Sequence, residues 1–195
     1  MVGGVTKTRM EAFSDGVIAV LITIMVLELK APHGHEFEAL RPLLPIFCSY
    51  VLSFVFIGIY WNNHHHLLHA CDHINGKILW ANLHLLFWLS LIPFATDWMG
   101  ENHVAPLPTS LYGGVLLCAA IAFTILQYAI IAAQGTESKL KAAVGRDRKG
   151  KVSVLCYVAA LPLAYVRPWI SVALYVTVAL IWLIPDPRIE RGLRH

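Results

Sequence analysis

Long apolar runs constrain this sequence more than any other feature. Residues 111–133, for example, contain no Asp, Glu, Lys or Arg. Hydrophobic residues make up 57% of the 195-residue chain, charged residues only 14%, and the mean hydropathy is +0.63. A soluble domain carries about 25% charged residues. The runs therefore predict an integral membrane protein, and they exclude a secreted disulfide module, a disordered tail and a water-soluble enzyme with one compact core.

Six segments are long enough to cross a bilayer as helices, which takes roughly 20 residues each. The last two are short, but joined into one helix they would reach about 50 Å, too long for a bilayer. The fold class is therefore all-α, with residues 1–195 forming a single six-helix transmembrane domain. The approximate spans are residues 9–30, 43–63, 77–97, 110–134, 150–166 and 168–185.

The basic residues indicate how these helices are oriented. With six spans, all but three of the 15 Lys and Arg residues lie on the side of the membrane that holds both termini. The exceptions are Lys30, Arg41 and Arg167. Because cytoplasmic connections are enriched in Lys and Arg, we predict that both termini are cytoplasmic. The expected location is the bacterial inner membrane, and the same charge distribution argues against a nucleic-acid partner.

Several ionisable and amide side chains lie inside or beside the apolar spans, where such groups are costly and mark candidate functional sites. Helical depth brings them to one level near the cytoplasmic side. This predicts a polar network that joins the first three helices, although histidines at the interface could instead be solvated. The residues at this level are Arg9, Asp15, His64, His65, His66, Asn82 and His84.

The first helix carries an apolar stripe beyond Asp15. Thr8 and Glu11 form a capping box that predicts a helix start near Thr8. The stripe is either a packing face, with the Thr23 hydroxyl bonded to the carbonyl of Ala19, or a surface that surrounds an axis with copies from other subunits. In the second case it forms a hydrophobic constriction for ions. Its members, at positions i, i+4, i+7 and i+11, are Gly16, Val20, Thr23 and Leu27.

Four short motifs carry a family resemblance. Arg9-x-x-x-Phe13-Ser14-Asp15, at the start of the first helix, resembles the signature of the transmembrane protein 175 family of potassium channels, in its prokaryotic branch. The similarity covers about the first half of the chain with specific motifs, and the second half only through helix number and length. The other motifs are Trp61-Asn62-x-His64-His65, Leu79-Trp80-x-Asn82-Leu83 and Pro93-Phe94-x-Thr96.

The resemblance implies a homotetramer of six-helix subunits in the lipid bilayer, with the first helix of each lining a central pore. It implies a cation channel weakly to moderately selective for potassium over sodium, with potassium as the permeant ion, no cofactor and no enzymatic activity. The constriction would lie at Val20, Thr23 and Leu27, where Val20 is smaller than the usual Ile or Leu. The implied polar network behind the pore contains Arg9, Phe13, Ser14, Asp15, His64, His65, Asn82 and His84.

Two alternative functions stay open. A proton-permeable channel of the same architecture is one, because Asp15 and the histidines titrate or could relay protons. A metal-binding transporter is the other, because residues 64–73 read HHHLLHACDH and imidazole suits zinc. His65 and His69 are spaced i, i+4 and could bind zinc incidentally. The chain contains no G-x-S-x-G or H-E-x-x-H string, so an intramembrane enzyme is not expected.

Overall fold

The computed structural model describes residues 6–71, 73–134 and 148–183. Every regular element in these ranges is a helix, which confirms the all-α prediction. Six of the basic residues that predict the orientation of the helices lie outside these ranges, namely Lys139, Lys141, Arg146, Arg188, Arg191 and Arg194. In chain order the α-helices are α1 Lys7–Leu27, α2 Leu44–His69, α3 Gly76–Ser90, α4 Ile92–Glu101, α5 Pro106–Gln134, α6 Arg148–Val166 and α7 Pro168–Leu183; a 3-10 helix, Phe37–Leu43, precedes α2.

Five of the described helical segments are long and apolar enough to cross a membrane. They are α1, α2 with the preceding 3-10 helix, α3 together with α4, α5 and α6. Helix α7 is apolar but has only 16 residues. At 21 residues, α1 is about 30 Å long, which matches the hydrocarbon core of a bilayer. The chain is an integral membrane protein.

Prolines explain two of the helix boundaries. The third span is interrupted at Leu91, between α3 and α4. Pro93 has no backbone N–H and its ring collides with the carbonyl four residues earlier, so it is most favourable in the first turn of a new helix, where it lies in α4. Pro168 acts in the same way at the start of α7, which is separated from the end of α6 by one residue, Arg167. The last two predicted spans are therefore separate helices.

Two helix ends differ from those expected. The cap of α1 is Thr6 rather than Thr8, because the side chain of Thr6 accepts a hydrogen bond from the backbone N–H of Arg9 (3.4 Å). Two threonines, Thr6 and Thr8, precede the apolar run, and Thr6 is the one that caps the helix. Helix α2 continues to His69 instead of ending at the histidine run, because no Gly or Pro interrupts it there. The histidines therefore lie on helix faces.

Helix α5 occupies the centre of the subunit and packs against α3, α4, α6 and α7. Helix α1 lies at the edge, and its main contacts are with α2, α3 and α4. Those contacts bury one face of α1, so its opposite face points away from the subunit. The buried face consists of Met10, Ser14, Ile18, Leu21 and Met25.

A glycine allows the close approach of α5 and α7. Tyr175 of α7 is buried against Gly113 of α5, and a Cβ atom at Gly113 would overlap the tyrosine hydroxyl. That hydroxyl donates a hydrogen bond to the carbonyl of Thr109 (3.0 Å). The neighbouring Gly114 has room for a Cβ, since its nearest contact would be Leu161 at 4.0 Å. Only the first of the two glycines is therefore required by packing.

Candidate pore helix and polar network

The apolar stripe of α1 faces out of its own subunit. Val20 is 52% exposed and Leu27 is 77% exposed, and Thr23 between them is also exposed. The Thr23 hydroxyl donates to the carbonyl of Val20 (2.8 Å), three residues back, and not to Ala19 as expected. This bond uses the hydroxyl proton, so the lone pairs of the oxygen stay available to a cation. The stripe is therefore available for contacts outside its own subunit.

Small residues on this face suit it to contact with another helix. Gly16 and Ala19 are both exposed, and no neighbouring atom lies within 4 Å of the position that a Cβ at Gly16 would take. In membranes, small residues allow helix backbones to approach closely, and association depends on such packing. A face in contact only with lipid tails has no such requirement. The composition of the stripe therefore favours a helix as its neighbour.

A buried chain of hydrogen bonds joins α1, α2 and α3. The Ser14 hydroxyl donates to the carbonyl of Met10 (2.8 Å) and accepts from the Asn82 amide nitrogen (3.0 Å). The Asn82 amide oxygen lies 2.7 Å from Nε2 of His64. Because that oxygen can only accept, His64 carries its proton on Nε2 and donates. All three side chains are buried and satisfied, which fixes the position of α1 against its neighbours.

Asp15 is held by a residue outside the expected network. Its carboxylate is exposed and accepts a hydrogen bond from Nε1 of Trp61 on α2 (3.0 Å). The Trp61 ring stacks on His65, with centroids 6.2 Å apart, and His65 stacks on His69, with centroids 6.3 Å apart. This column of three rings runs along the end of α2, outside the buried chain. The family motif contains Trp61, which was the available signal for its role.

Three expected network residues lie elsewhere in the subunit. Arg9 and Phe13 are exposed on α1, and no hydrogen bond or ion pair joins the Arg9 side chain to another described residue. His84 is exposed on α3 and accepts a hydrogen bond from Nε1 of Trp88 (3.0 Å), one turn further along. Within one subunit, the structure therefore brings together Ser14, His64 and Asn82, with Asp15 attached to α2 through Trp61.

A second polar cluster was not predicted. Ser53, Thr96 and Tyr112 are buried where α2, α4 and α5 meet. The hydroxyl oxygens of Ser53 and Thr96 are 2.6 Å apart, and those of Ser53 and Tyr112 are 2.9 Å apart. Hydroxyl groups in an apolar environment need such partners, and Thr96 belongs to one of the family motifs. The cluster joins the helices that support α1. Its Ser53 lies about three helical turns from His64 along α2.

The described residues contain no group of three or more His, Cys, Asp or Glu side chains placed to hold a metal ion. The histidines near the end of α2 therefore do not form a closed metal centre within this part of the chain. A zinc-dependent site of the transporter type needs at least three such ligands. The geometry of the polar residues instead suits structural hydrogen bonding around α1.

The sequence of this chain is similar to the sequences of several known proteins. A protein of Chryseobacterium sp. (strain P1-3) named "potassium channel" is 53% identical over 190 residues, which are 97% of this chain and 99% of that protein. The family described as "Endosomal/lysosomal potassium channel TMEM175" matches residues 9–93. The chain belongs to the TMEM175 family. This confirms the resemblance seen in the motifs, and it confirms that the protein is not an enzyme.

Two further similarities extend the comparison within the TMEM175 family. A crystal structure of "a lysosomal potassium-selective channel TMEM175 homolog from Chamaesiphon minutus" superimposes with a TM-score of 0.77 and 27% identity, covering 96% of this chain and 98% of that one. A Gallus gallus protein named "endosomal/lysosomal proton channel TMEM175" is 39% identical over 74 residues, 32% of this chain and 15% of that protein. The fold of this chain is therefore that of a TMEM175 channel subunit.

Proposed function

We propose that this TMEM175 protein is a potassium channel of the bacterial inner membrane, in which the α1 helices of four copies surround a central pore. The observation that carries the proposal is the outward stripe of Val20, Thr23 and Leu27 on α1, flanked by small residues. The 53% identical relative named as a potassium channel supports the same assignment. The distribution of Lys and Arg along the sequence supports a cytoplasmic location for both termini.

In this arrangement the pore has an apolar neck. Val20 and Leu27 are seven residues apart, so their rings stand about 10 Å apart along the axis. A narrow hydrophobic constriction empties of water and closes, and an ion that passes must lose hydration water. Potassium holds its water less strongly than sodium, which gives modest selectivity. Thr23 places a ring of hydroxyl oxygens between the two apolar levels, where they can replace part of the lost hydration.

The buried hydrogen bonds set the geometry of this neck. Ser14 lies six residues before Val20 on the same helix and is bound to Asn82 of α3. Through Asn82 and His64, α1 is held to both α2 and α3, so the direction of its stripe is fixed within each subunit. Arg9 and Phe13 face outward from the subunit, and in the proposed tetramer they are placed to meet a neighbouring copy.

The proposal is tested by the substitution Val20→Asn, with Val26→Asn as the matched control. Val26 is 45% exposed on the same helix but lies off the stripe. Each variant is reconstituted in liposomes, and the reversal potential is measured under opposed potassium and sodium gradients. An amide wets the neck, so Val20→Asn is expected to lower the discrimination between the two ions while Val26→Asn preserves it. An unchanged reversal potential in Val20→Asn, or an equal change in both variants, refutes the assignment.

Proton permeation is the second candidate function, favoured by the similarity to a vertebrate protein named as a proton channel. Asp15 and His65 are exposed near the start of α1 and the end of α2, where they could exchange protons with water. Currents measured across a pH step, with N-methyl-D-glucamine as the impermeant cation, separate the two functions. A current that follows the proton gradient supports proton permeation, and its absence supports potassium as the permeant ion.

A further inference from the structure

Two exposed histidines lie one above the other near the end of α2. His65 and His69 are four residues apart, their ring centroids are 6.3 Å apart, and their ring planes differ by 25°. Residues at i and i+4 lie on the same side of a helix. Two imidazoles with this spacing are a known zinc-binding arrangement on helices. The hydrogen-bond network around α1 uses neither ring, so both are available to a ligand from water.

The centroid separation of the pair is about 1 Å larger than that of two ligands of one ion, and the near-parallel rings must rotate to direct their nitrogens at a common point. Zinc–nitrogen bonds of about 2.0–2.1 Å at a tetrahedral angle place the two ring centroids about 5 Å apart. The rings must therefore approach by about 1 Å, which side-chain rotation permits for two exposed residues. His66 is the competing ligand, because its ring is only 5.7 Å from that of His65. Consecutive residues point in directions about 100° apart around a helix, however, whereas residues at i and i+4 share one side.

We propose that His65 and His69 form a two-histidine binding site for a transition-metal dication such as Zn²⁺. Each imidazole contributes one nitrogen. Among the described residues no third His, Cys, Asp or Glu joins the pair, so water molecules complete the coordination. The site is therefore weaker than a structural zinc site with four protein ligands. It does not depend on the proposed channel function, because it requires only the exposed end of α2.

Bound metal would stiffen the contact between α2 and the first turns of α1. His65 stacks on Trp61, whose Nε1 donates to Asp15 of α1 (3.0 Å). On the other side of the pair, the ammonium of Lys7 donates to the carbonyl of His69 (3.1 Å). The metal thus lies between two contacts that join α2 to α1. Since it binds only where these histidines are held on one helix face, it raises the melting temperature of the folded protein.

The test is isothermal titration of ZnCl₂ into the full-length protein in detergent at pH 7.5. We expect one Zn²⁺ per chain, and we expect His65→Ala and His69→Ala each to weaken binding by about tenfold or more, because each removes one of two ligands. His66→Ala and His35→Ala are the controls and are expected to bind as the wild type does. The rise in melting temperature on zinc addition is expected to disappear in the first two variants only.

Two results would overturn the proposed zinc site. Undiminished zinc binding in both His65→Ala and His69→Ala places the metal elsewhere, and a His66→Ala variant as weak as His65→Ala excludes the i, i+4 pair. Melting curves without zinc verify that each variant is folded, which both exposed positions allow. Because binding is measured without ion flux, failure of this site and failure of the channel proposal are separate outcomes.

Discussion

Replacement of Asn82 by leucine removes the centre of the buried hydrogen-bond chain between α1, α2 and α3. Leucine keeps a branched side chain but neither donates nor accepts, so the bonds to Ser14 and His64 are both lost. Hydrogen bonds between membrane helices contribute about 0.6 kcal/mol each on average. The N–H of His64 is left buried without an acceptor, which costs about 1–3 kcal/mol more. The expected loss of stability is about 2–4 kcal/mol.

Thermal unfolding of the full chain in detergent measures this loss. For a protein of this size, about 1 kcal/mol corresponds to about 2–4 °C, so Asn82→Leu is expected to lower the melting temperature by about 5–15 °C. The control is Asn62→Leu, at an exposed position on α2, which is expected to melt within about 2 °C of the wild type. The combination of Ser14→Ala with Asn82→Leu is expected to be less destabilising than the sum of the two changes, because they share a bond.

Either of two results would refute the stabilising role of this hydrogen-bond network. One is an Asn82→Leu protein that melts within about 2 °C of the wild type, since a buried, satisfied network cannot lose its centre at no cost. The other is an Asn62→Leu protein that loses as much stability as Asn82→Leu. In that case a general effect of leucine at these two helix positions, and not the hydrogen bonds, would explain the change.

Two further stability predictions concern helix packing and surface charge. Gly113→Ala is expected to lower the free energy of unfolding by about 1–3 kcal/mol, because the new methyl group displaces Tyr175. Gly114→Ala is expected to raise the free energy of unfolding by up to about 1 kcal/mol, because alanine has the higher helix propensity. Equal effects at both glycines in chemical denaturation would contradict this packing. Glu101→Gln removes an exposed ion pair with Lys30 (3.7 Å; side chains 49% and 75% exposed) and is expected to change stability by less than about 1 kcal/mol. A larger loss would show that the pair supports the fold.

The helical architecture was predictable because the membrane leaves few choices. In lipid, backbone polar groups must be satisfied within the segment, so an apolar run of sufficient length becomes a helix. The constant rise per residue then sets the depth of each polar side chain. This is why Asp15, His64 and Asn82 could be expected at one level, whereas Ser14 was expected only from the family resemblance. The break in the third span at Leu91 was harder to predict, because Pro93 can begin a new helix or bend a continuous one.

The depth of a residue in the membrane does not reveal the direction in which its side chain points around the helix axis. Asn82 and His84 are two residues apart and therefore point in directions about 200° apart, so only one of them can face α1. Asn82 does, and His84 faces outward and bonds to its own helix. The hydrogen-bond partners of Ser53 could not be predicted from the sequence either. A hydroxyl group in a helix can equally well donate to the backbone carbonyl four residues earlier. Which side faces the subunit is decided by packing against other helices.

Disulfide cross-linking between subunits tests most directly whether the α1 stripes of neighbouring copies meet around one axis. A single cysteine is placed at Val20 or, as the control, at Val26 in a chain whose exposed native cysteine is removed by Cys48→Ser. A disulfide forms only where Cα atoms lie within about 7 Å. Oxidation in membranes is expected to give covalent dimers with Val20→Cys and few with Val26→Cys. No dimers from Val20→Cys, or equal yields from the two variants, would contradict a pore lined by this stripe.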